Sequence, residues 1–401
     1  MTLPDEQHVM NTFARIPVEF VRGKGMELYD ASGKTYLDFL SGIGTVSLGH
    51  SNSLVNDAVY QQLKKLTHVS NFFYVEYRAE LADRLIELFE EEGKVFFANS
   101  GAEAVEGALK LARKWGHERK PDADTIVTAL GSFHGRTYGA MSATGQPERA
   151  TDFAPVLPGF EYVPFNDIEA LDATLGDDTV AFMLEIIQGE SGVWPASQEY
   201  IDVVAKLCKE RNVLLIIDEI QTGIHRTGKP FAFQHYGITP DIITSAKALG
   251  NGYPIGAVIA RTEVADTFVP GDHGSTFGGS PLACAAALST LIAFDAMALD
   301  GAIISEHVEA VGAYAQSKLA EIPYLTDIRG KGLMIGATLT DDAPLNAAQL
   351  RDALCEAGCI INAIGDKYIR LLPPLICKNV HIDALIEAIY AIMKAPREDI
   401  S

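Results

Sequence analysis

Residues 213–219 read Val-Leu-Leu-Ile-Ile-Asp-Glu, an unbroken apolar run closed by two carboxylates. A run of this kind, with no polar residue on either side of the alternation, suits a strand buried on both faces, and such strands belong to parallel sheets covered by helices. Asp218 then falls at the carboxyl end of the strand, the edge at which open α/β sheets bind ligands. Outward from this stretch, short apolar runs recur at 94–98, 125–130, 180–187, 242–245 and 256–260. Helical patterns at 77–91, 102–115, 197–211 and 281–294 alternate with them. The alternation predicts βαβ units and a mostly parallel central sheet over roughly residues 50–290.

The flanks have a different texture. Amphipathic helices are predicted at 306–320, 346–357 and 381–394, separated by short strands at 332–339 and 368–372, a smaller α+β unit. Residues 25–39, GMELYDASGKTYLDF, alternate about a Ser32-Gly33 turn and predict an extended hairpin. The expected organisation is an N-terminal arm of the small domain at 1–49, a large α/β domain at 50–295 and a C-terminal small α+β domain at 296–401.

Composition narrows the function. Of 401 residues, 32 are Lys or Arg and 53 are Asp or Glu, a formal charge of −21 that disfavours nucleic acid and anionic membrane surfaces as partners. No apolar stretch is long enough to span a bilayer, and the N-terminus has neither the basic nor the apolar region of a secretory signal. Five scattered cysteines with no CxxC pair predict neither a disulfide framework nor a metal site, and suit buried thiols in the cytoplasm.

Three segments carry chemistry. Asn99-Ser100-Gly101-Ala102-Glu103 follows an apolar strand and opens a helix, and Ser100 with Glu103 fits a capping box. A helix start with small residues is also an anion site, because its free N–H groups and dipole face a phosphate. Asp218 is the second group. An aspartate closing an apolar strand also suits a magnesium-binding P-loop ATPase, but the only Gly-Lys-Thr, at 33–35, has Leu28 where the motif requires its first glycine. The third is Lys247, directly after the 242–245 strand and before a glycine-rich turn. A desolvated lysine has a lowered pKa and can form an imine. A phosphate cradle, a buried aspartate for a pyridine nitrogen and an imine-forming lysine are the contacts that pyridoxal 5′-phosphate needs.

The order NSGAEA, SFHGRTYGAM, EIIQGESGVWPA, LLIIDEIQTGIHRTGKPFAF, PDIITSAKALGNGYPIGAVI, GSTFGGSPLACAAAL and YIRLLPPLIC resembles the class III pyridoxal-phosphate aminotransferases along nearly the whole chain. The resemblance implies the fold type I architecture and a homodimer with shared active sites. It implies Lys247 as the imine lysine and proton carrier and Asp218 as partner of the ring nitrogen. Gln221 would bond the ring's phenolic oxygen, and Phe133 would stack on its face. Ser100, Gly101 and Ala102 would hold the phosphate, with Thr276 reaching the phosphate of the neighbouring subunit. Arg136 and Arg370 match carboxylate-binding positions, Glu190 matches a glutamate that pairs with Arg370, and Ile43 would line the pocket. Within the class, the FHGRT block, the PGFEYVPFND stretch and the length favour N-acetylornithine as amino donor and 2-oxoglutarate as acceptor, a step of arginine biosynthesis. Ornithine, succinylornithine and 4-aminobutyrate stay open as donors, and so does a non-catalytic binding protein on the same fold.

Overall fold

The computed structural model describes residues 6–394. Its centre is a seven-stranded sheet in the order Gly93–Ala98, Gly256–Arg261, Ile242–Ser245, Leu214–Asp218, Thr179–Leu184, Thr125–Ala129, Phe160–Val163. The last five are parallel to one another. Gly256–Arg261 runs antiparallel to both of its neighbours, so Gly93–Ala98 points the same way as the parallel strands. Both faces are covered: Leu215 and Ile217 enter one apolar core while Leu214 and Ile216 enter the other. An uninterrupted apolar run is what a strand with two buried faces requires.

The expected helices and strands of this region form close to their spans, with some differences. The helix after the first strand runs Gly101–Arg119, beyond the expected end. The 180–187 run breaks after Leu184, because Glu185 leaves the sheet to receive loop N–H groups, and Ile187–Gln188 pairs instead with Trp194–Pro195. The edge strand Phe160–Val163 and the helix Ser53–Lys65 were not expected: the strand is short, and the helix, though amphipathic, has only Val55 and Gln62 buried.

Two smaller sheets flank this centre. The expected N-terminal hairpin forms from Glu27–Asp30 and Thr35–Asp38, with the Gly33-Lys34-Thr35 stretch at its turn. It is completed by Phe20–Lys24 and by Cys359–Ile360, which joins in parallel from more than 300 residues away. The other is antiparallel, in the order Leu325–Lys331, Met334–Leu339, Tyr368–Leu371, Asn362–Ile364. It is tied to the centre by the fully buried Arg226, whose Nη1 donates to the carbonyls of Leu333 (3.0 Å) and Pro373 (2.6 Å) while its own carbonyl accepts from Leu333 N–H. Burial in this junction pulls the guanidinium pKa down to about 9.

Among the described residues no helix is long and apolar enough to cross a membrane. All five cysteines are free and buried.

Gly256 shows how the sheet makes room for the site. A methyl group there would run into the Ser100 carbonyl, at the start of the 101–119 helix. Gly256→Ala is expected to cost roughly 1–3 kcal/mol in denaturant unfolding, as overpacking against backbone does. It should also displace the helix start and loosen cofactor retention; an alanine variant with unchanged stability would show that the approach is not tight.

Candidate active site

The carboxyl ends of five strands and the lead-in to Gly256–Arg261 meet at one edge of the central sheet, and a cavity of about 420 Å³ opens there. Its wall includes Ser100, Gly101, Ala102, Phe133, Arg136, Asp218, Gln221 and Lys247, brought together from a span of about 150 residues of chain. Lys247 and Asp218 therefore share one space. The volume is in the range of small-molecule sites.

Asp218 is held on both oxygens. His134 Nδ1 lies 2.7 Å from Oδ2, Thr244 Oγ1 donates to Oδ1 at 2.9 Å and the Ile220 N–H donates to the same atom at 3.1 Å. An ionised carboxylate only accepts, so the His134 proton sits on Nδ1. Nε2 of His134 is buried and has no hydrogen-bond partner among the described residues. The carboxylate is thereby fixed in place at the end of its strand.

Lys247 starts a short 3-10 turn directly after Ile242–Ser245, with φ +42°. A lysine in the left-handed region is strained, and such residues gather at functional sites. Its remaining exposed surface faces the cavity that it lines. Desolvation there lowers its pKa from the ordinary lysine value, and Arg370 adds to the effect; Glu190, Asp218 and Glu185 oppose it.

The helix start is capped by Ser100 Oγ, which accepts from Glu103 N–H at 3.2 Å. The expected reciprocal bond does not form: the Glu103 carboxylate accepts from the N–H of Asn99 (2.9 Å) and from its side-chain amide (2.8 Å). The first-turn N–H groups of a helix have no acceptor within it and are the anion-binding element. Here they face the cavity at Gly101 and Ala102.

Glu190 and Arg370 lie behind this wall. Arg370 is buried, and its Nη1 donates to Glu190 Oε1 (2.6 Å), Gln221 Oε1 (3.1 Å) and the Gly189 carbonyl (3.0 Å). Gln221 Nε2 donates to the same Glu190 oxygen at 3.2 Å, so Gln221 joins the pair to the cavity. Burial works against the charge on Glu190, but Arg370, Lys247 and Gln221 together outweigh it and the carboxyl stays below its ordinary range.

Arg136 stands at the exposed mouth, its guanidinium 5.3 Å from the Phe133 ring centre. The remaining two residues do not join the cavity. On the N-terminal side the wall is Thr45; Ile43, on the same strained Ser41–Gly44 turn, is 40% exposed and outside it. Thr276 lines a separate cavity with His68, Asn71 and Arg78.

Sequence reasoning missed His134, Thr244 and Glu185. Glu185 accepts from Phe133 N–H at 2.9 Å and from Gly189 N–H at 3.4 Å, tying the aromatic wall to the Glu190 loop. Burial, with Asp218 adding and His134 opposing, pushes its pKa up to about 7. Its signal was a single carboxylate ending an apolar run, the same signal that singled out Asp218. Among the described residues no cluster of His, Cys, Asp or Glu is arranged to hold a metal ion.

Residues 9–393 match the aminotransferase class-III family. The chain belongs to that family. It is 47% identical over 386 residues to an acetylornithine aminotransferase of Aquifex aeolicus (strain VF5), covering 96% of this chain and 100% of that protein. Among solved structures it is similar to the acetylornithine aminotransferase of Elizabethkingia anophelis, with TM-score 0.84 and 36% identity over 97% of this chain and 96% of that one. It is also similar to an ornithine aminotransferase from Toxoplasma gondii with pyridoxal phosphate at partial occupancy in its active site, with TM-score 0.91 and 34% identity over 99% of this chain and 94% of that one. Membership of the family implies pyridoxal phosphate as cofactor, and this aminotransferase has a cavity whose donors suit it: amide N–H groups for a phosphate, a buried carboxylate and a desolvated amine.

The raised pKa of Glu185 has a direction that can be checked. Between its ordinary 4.5 and about 7 the folded chain keeps a proton that the unfolded chain has released, so this group's contribution to stability is lost as pH rises through that window. Glutamine cannot ionise. Glu185→Gln should therefore gain about 3 kcal/mol relative to the native chain on going from about pH 4.5 to about pH 8. Paired thermal unfolding curves measure this, and a pH-independent difference contradicts the assignment.

Proposed function

We propose that this aminotransferase moves the terminal amine of N-acetylornithine to 2-oxoglutarate, with pyridoxal 5′-phosphate in the cavity, giving N-acetylglutamate semialdehyde and glutamate. The observation that carries the chemistry is that Lys247, Asp218 and the Ser100–Ala102 helix start open into one cavity. Curated relatives named acetylornithine aminotransferase, 42–47% identical over nearly the whole chain, support the donor.

The helix start would take the phosphate, Phe133 would cover one ring face, Gln221 would meet the phenolic oxygen and Asp218 would keep the ring nitrogen protonated. When bound, the cofactor supplies an electron sink for the carbon that carries the transferred amine. Lys247 Nζ, drawn toward the free amine by desolvation, would take the proton from that carbon and hand it back. The anchoring of Asp218 by His134 and Thr244 keeps the negative charge aimed while that proton moves.

Carboxylates are best held by a guanidinium fork. Arg136 at the mouth would hold the carboxylate shared by both substrates. Arg370 would take the second carboxylate of 2-oxoglutarate or glutamate, and Glu190 would cover it when the distal group is neutral. Ile43, on the turn beside the mouth, would flank the donor's acyl end. Beside Thr276, the side chains of Phe72, Tyr74 and Phe277 are 93%, 103% and 60% exposed. An apolar surface of this size supports pairing with a second copy, whose cavity Thr276 would then complete. The five buried thiols support a cytoplasmic enzyme.

The same reaction on ornithine is the second reading, supported by the likeness to ornithine aminotransferases at TM-scores of 0.90 and 0.91. Specificity constants for acetylornithine, succinylornithine, ornithine and 4-aminobutyrate against 2-oxoglutarate separate the two, with acetylornithine expected to lead.

Lys247→Ala should keep the native circular dichroism and assembly while turnover falls by more than about 10³-fold; substantial remaining activity refutes the proton-carrier role. Glu190→Gln should raise kcat/KM for glutamate relative to acetylornithine roughly tenfold, the scale of one charge-assisted hydrogen bond. An unchanged ratio would mean that Glu190 does not cover Arg370.

A further inference from the structure

Arg370 lies on an inner strand of the Leu325–Lys331, Met334–Leu339, Tyr368–Leu371, Asn362–Ile364 sheet. The residues directly across from it are Asn362 on one neighbour and Gly336 on the other. Directly opposed residues of antiparallel strands share a face, so these two positions flank the guanidinium.

The flanks are unlike. Asn362 Oδ1 accepts from Arg370 Nε at 3.2 Å and from Nη2 at 2.9 Å, and so takes up one whole edge of the guanidinium. Only the oxygen of an amide accepts, which fixes the way the amide faces. At Gly336 there is no side chain, and a methyl group would stand 2.7 Å from the Gly192 carbonyl and 2.8 Å from Val193 Cβ. The loop that carries Glu190 settles into this gap, pinned by Arg329 Nε to the Gly192 carbonyl at 2.9 Å. Glu190 thereby reaches Nη1, on the edge that Asn362 leaves open.

We propose that Asn362 is the positioning residue that decides which edge of Arg370 meets the oxo acid. A guanidinium offers two forks to a carboxylate, Nε with Nη2 and Nη1 with Nη2. Asn362 closes the first, so an incoming carboxylate and Glu190 compete for the second. The neutrality of Asn362 matters as much as its place: a charged acceptor there would neutralise Arg370 permanently, whereas a neutral one leaves a full positive charge for one exchangeable carboxylate. The proposal rests on the reading of Arg370 as the site of the second carboxylate.

The test uses the holoenzyme with two measurements: steady-state kinetics with 2-oxoglutarate varied, and a single-turnover first half-reaction with acetylornithine. Asn362→Ala should raise KM for 2-oxoglutarate about tenfold, with kcat within about twofold and the first half-reaction unchanged. Asn362→Asp should raise that KM further, to about a hundredfold, because a carboxylate now holds the charge. A loss of packing alone would lower both half-reactions together and would not rank aspartate below alanine. Should Asn362→Ala fold poorly, Asn362→Ser, which keeps a small oxygen acceptor, is expected to fall between the native and aspartate values. Unchanged KM in the alanine or serine variant, or equal damage to both half-reactions, overturns the proposal. Arg370→Lys separates the two layers: if it raises KM for 2-oxoglutarate while the Asn362 variants do not, the positioning role alone fails. If it leaves that KM unchanged, the carboxylate reading of Arg370 fails and the role of Asn362 with it.

Discussion

Charge balance in a desolvated space governs this molecule. Lys247 and Arg370 bring positive charge to the carboxyl edge of the sheet, Asp218 and Glu190 bring negative charge, and Glu185 stands beside them with its pKa pushed up to about 7. Each of these groups is costly to bury singly. Together they are tolerated because every carboxylate has a fixed donor: His134 and Thr244 for Asp218, Arg370 for Glu190, and loop amides for Glu185. The amine has less to hold its charge. Burial pulls Lys247 toward the neutral form, and the same burial keeps the acids from being screened by water.

The scaffold makes that balance affordable by bringing backbone close where side chains would block it. Gly256 lets the cavity-facing helix start lie against the antiparallel strand, and Gly336 lets the Glu190 loop lie on the small sheet. Arg226 then locks that small sheet to the centre through the carbonyls of Leu333 and Pro373, the latter three residues past Arg370. Arg370 is thus held in place by a buried guanidinium in the junction, and a shift of the sheet would strip Arg226 Nη1 of both its acceptors. Lys247 itself carries backbone strain, in the left-handed region at φ +42°.

The central sheet was legible because its strands are apolar on both faces, and Val213–Glu219 could be read as nothing else once its neighbours alternated with helices. The edge strand Phe160–Val163 was not, since a run of four residues is too short for its alternation to register. Of the site, Lys247, Asp218 and the Ser100–Ala102 cradle stood out because each breaks an apolar pattern at a strand or helix end. His134 sits in a polar loop and gains its meaning only from Asp218, 84 residues later. Asn362 had no signal at all: an asparagine after an apolar run reads as a turn until its strand is paired with the one carrying Arg370.

Local pattern by itself determined the layered α/β architecture and the kinds of group offered at the sheet edge, because burial and periodicity are properties of neighbouring residues. Tertiary structure alone decided which of those groups share a cavity and which edge of Arg370 is taken by Asn362. It also placed Thr276 and Ile43 outside the wall that this chain builds. Those outcomes depend on contacts between residues far apart in sequence, and on the desolvation that only a closed space imposes.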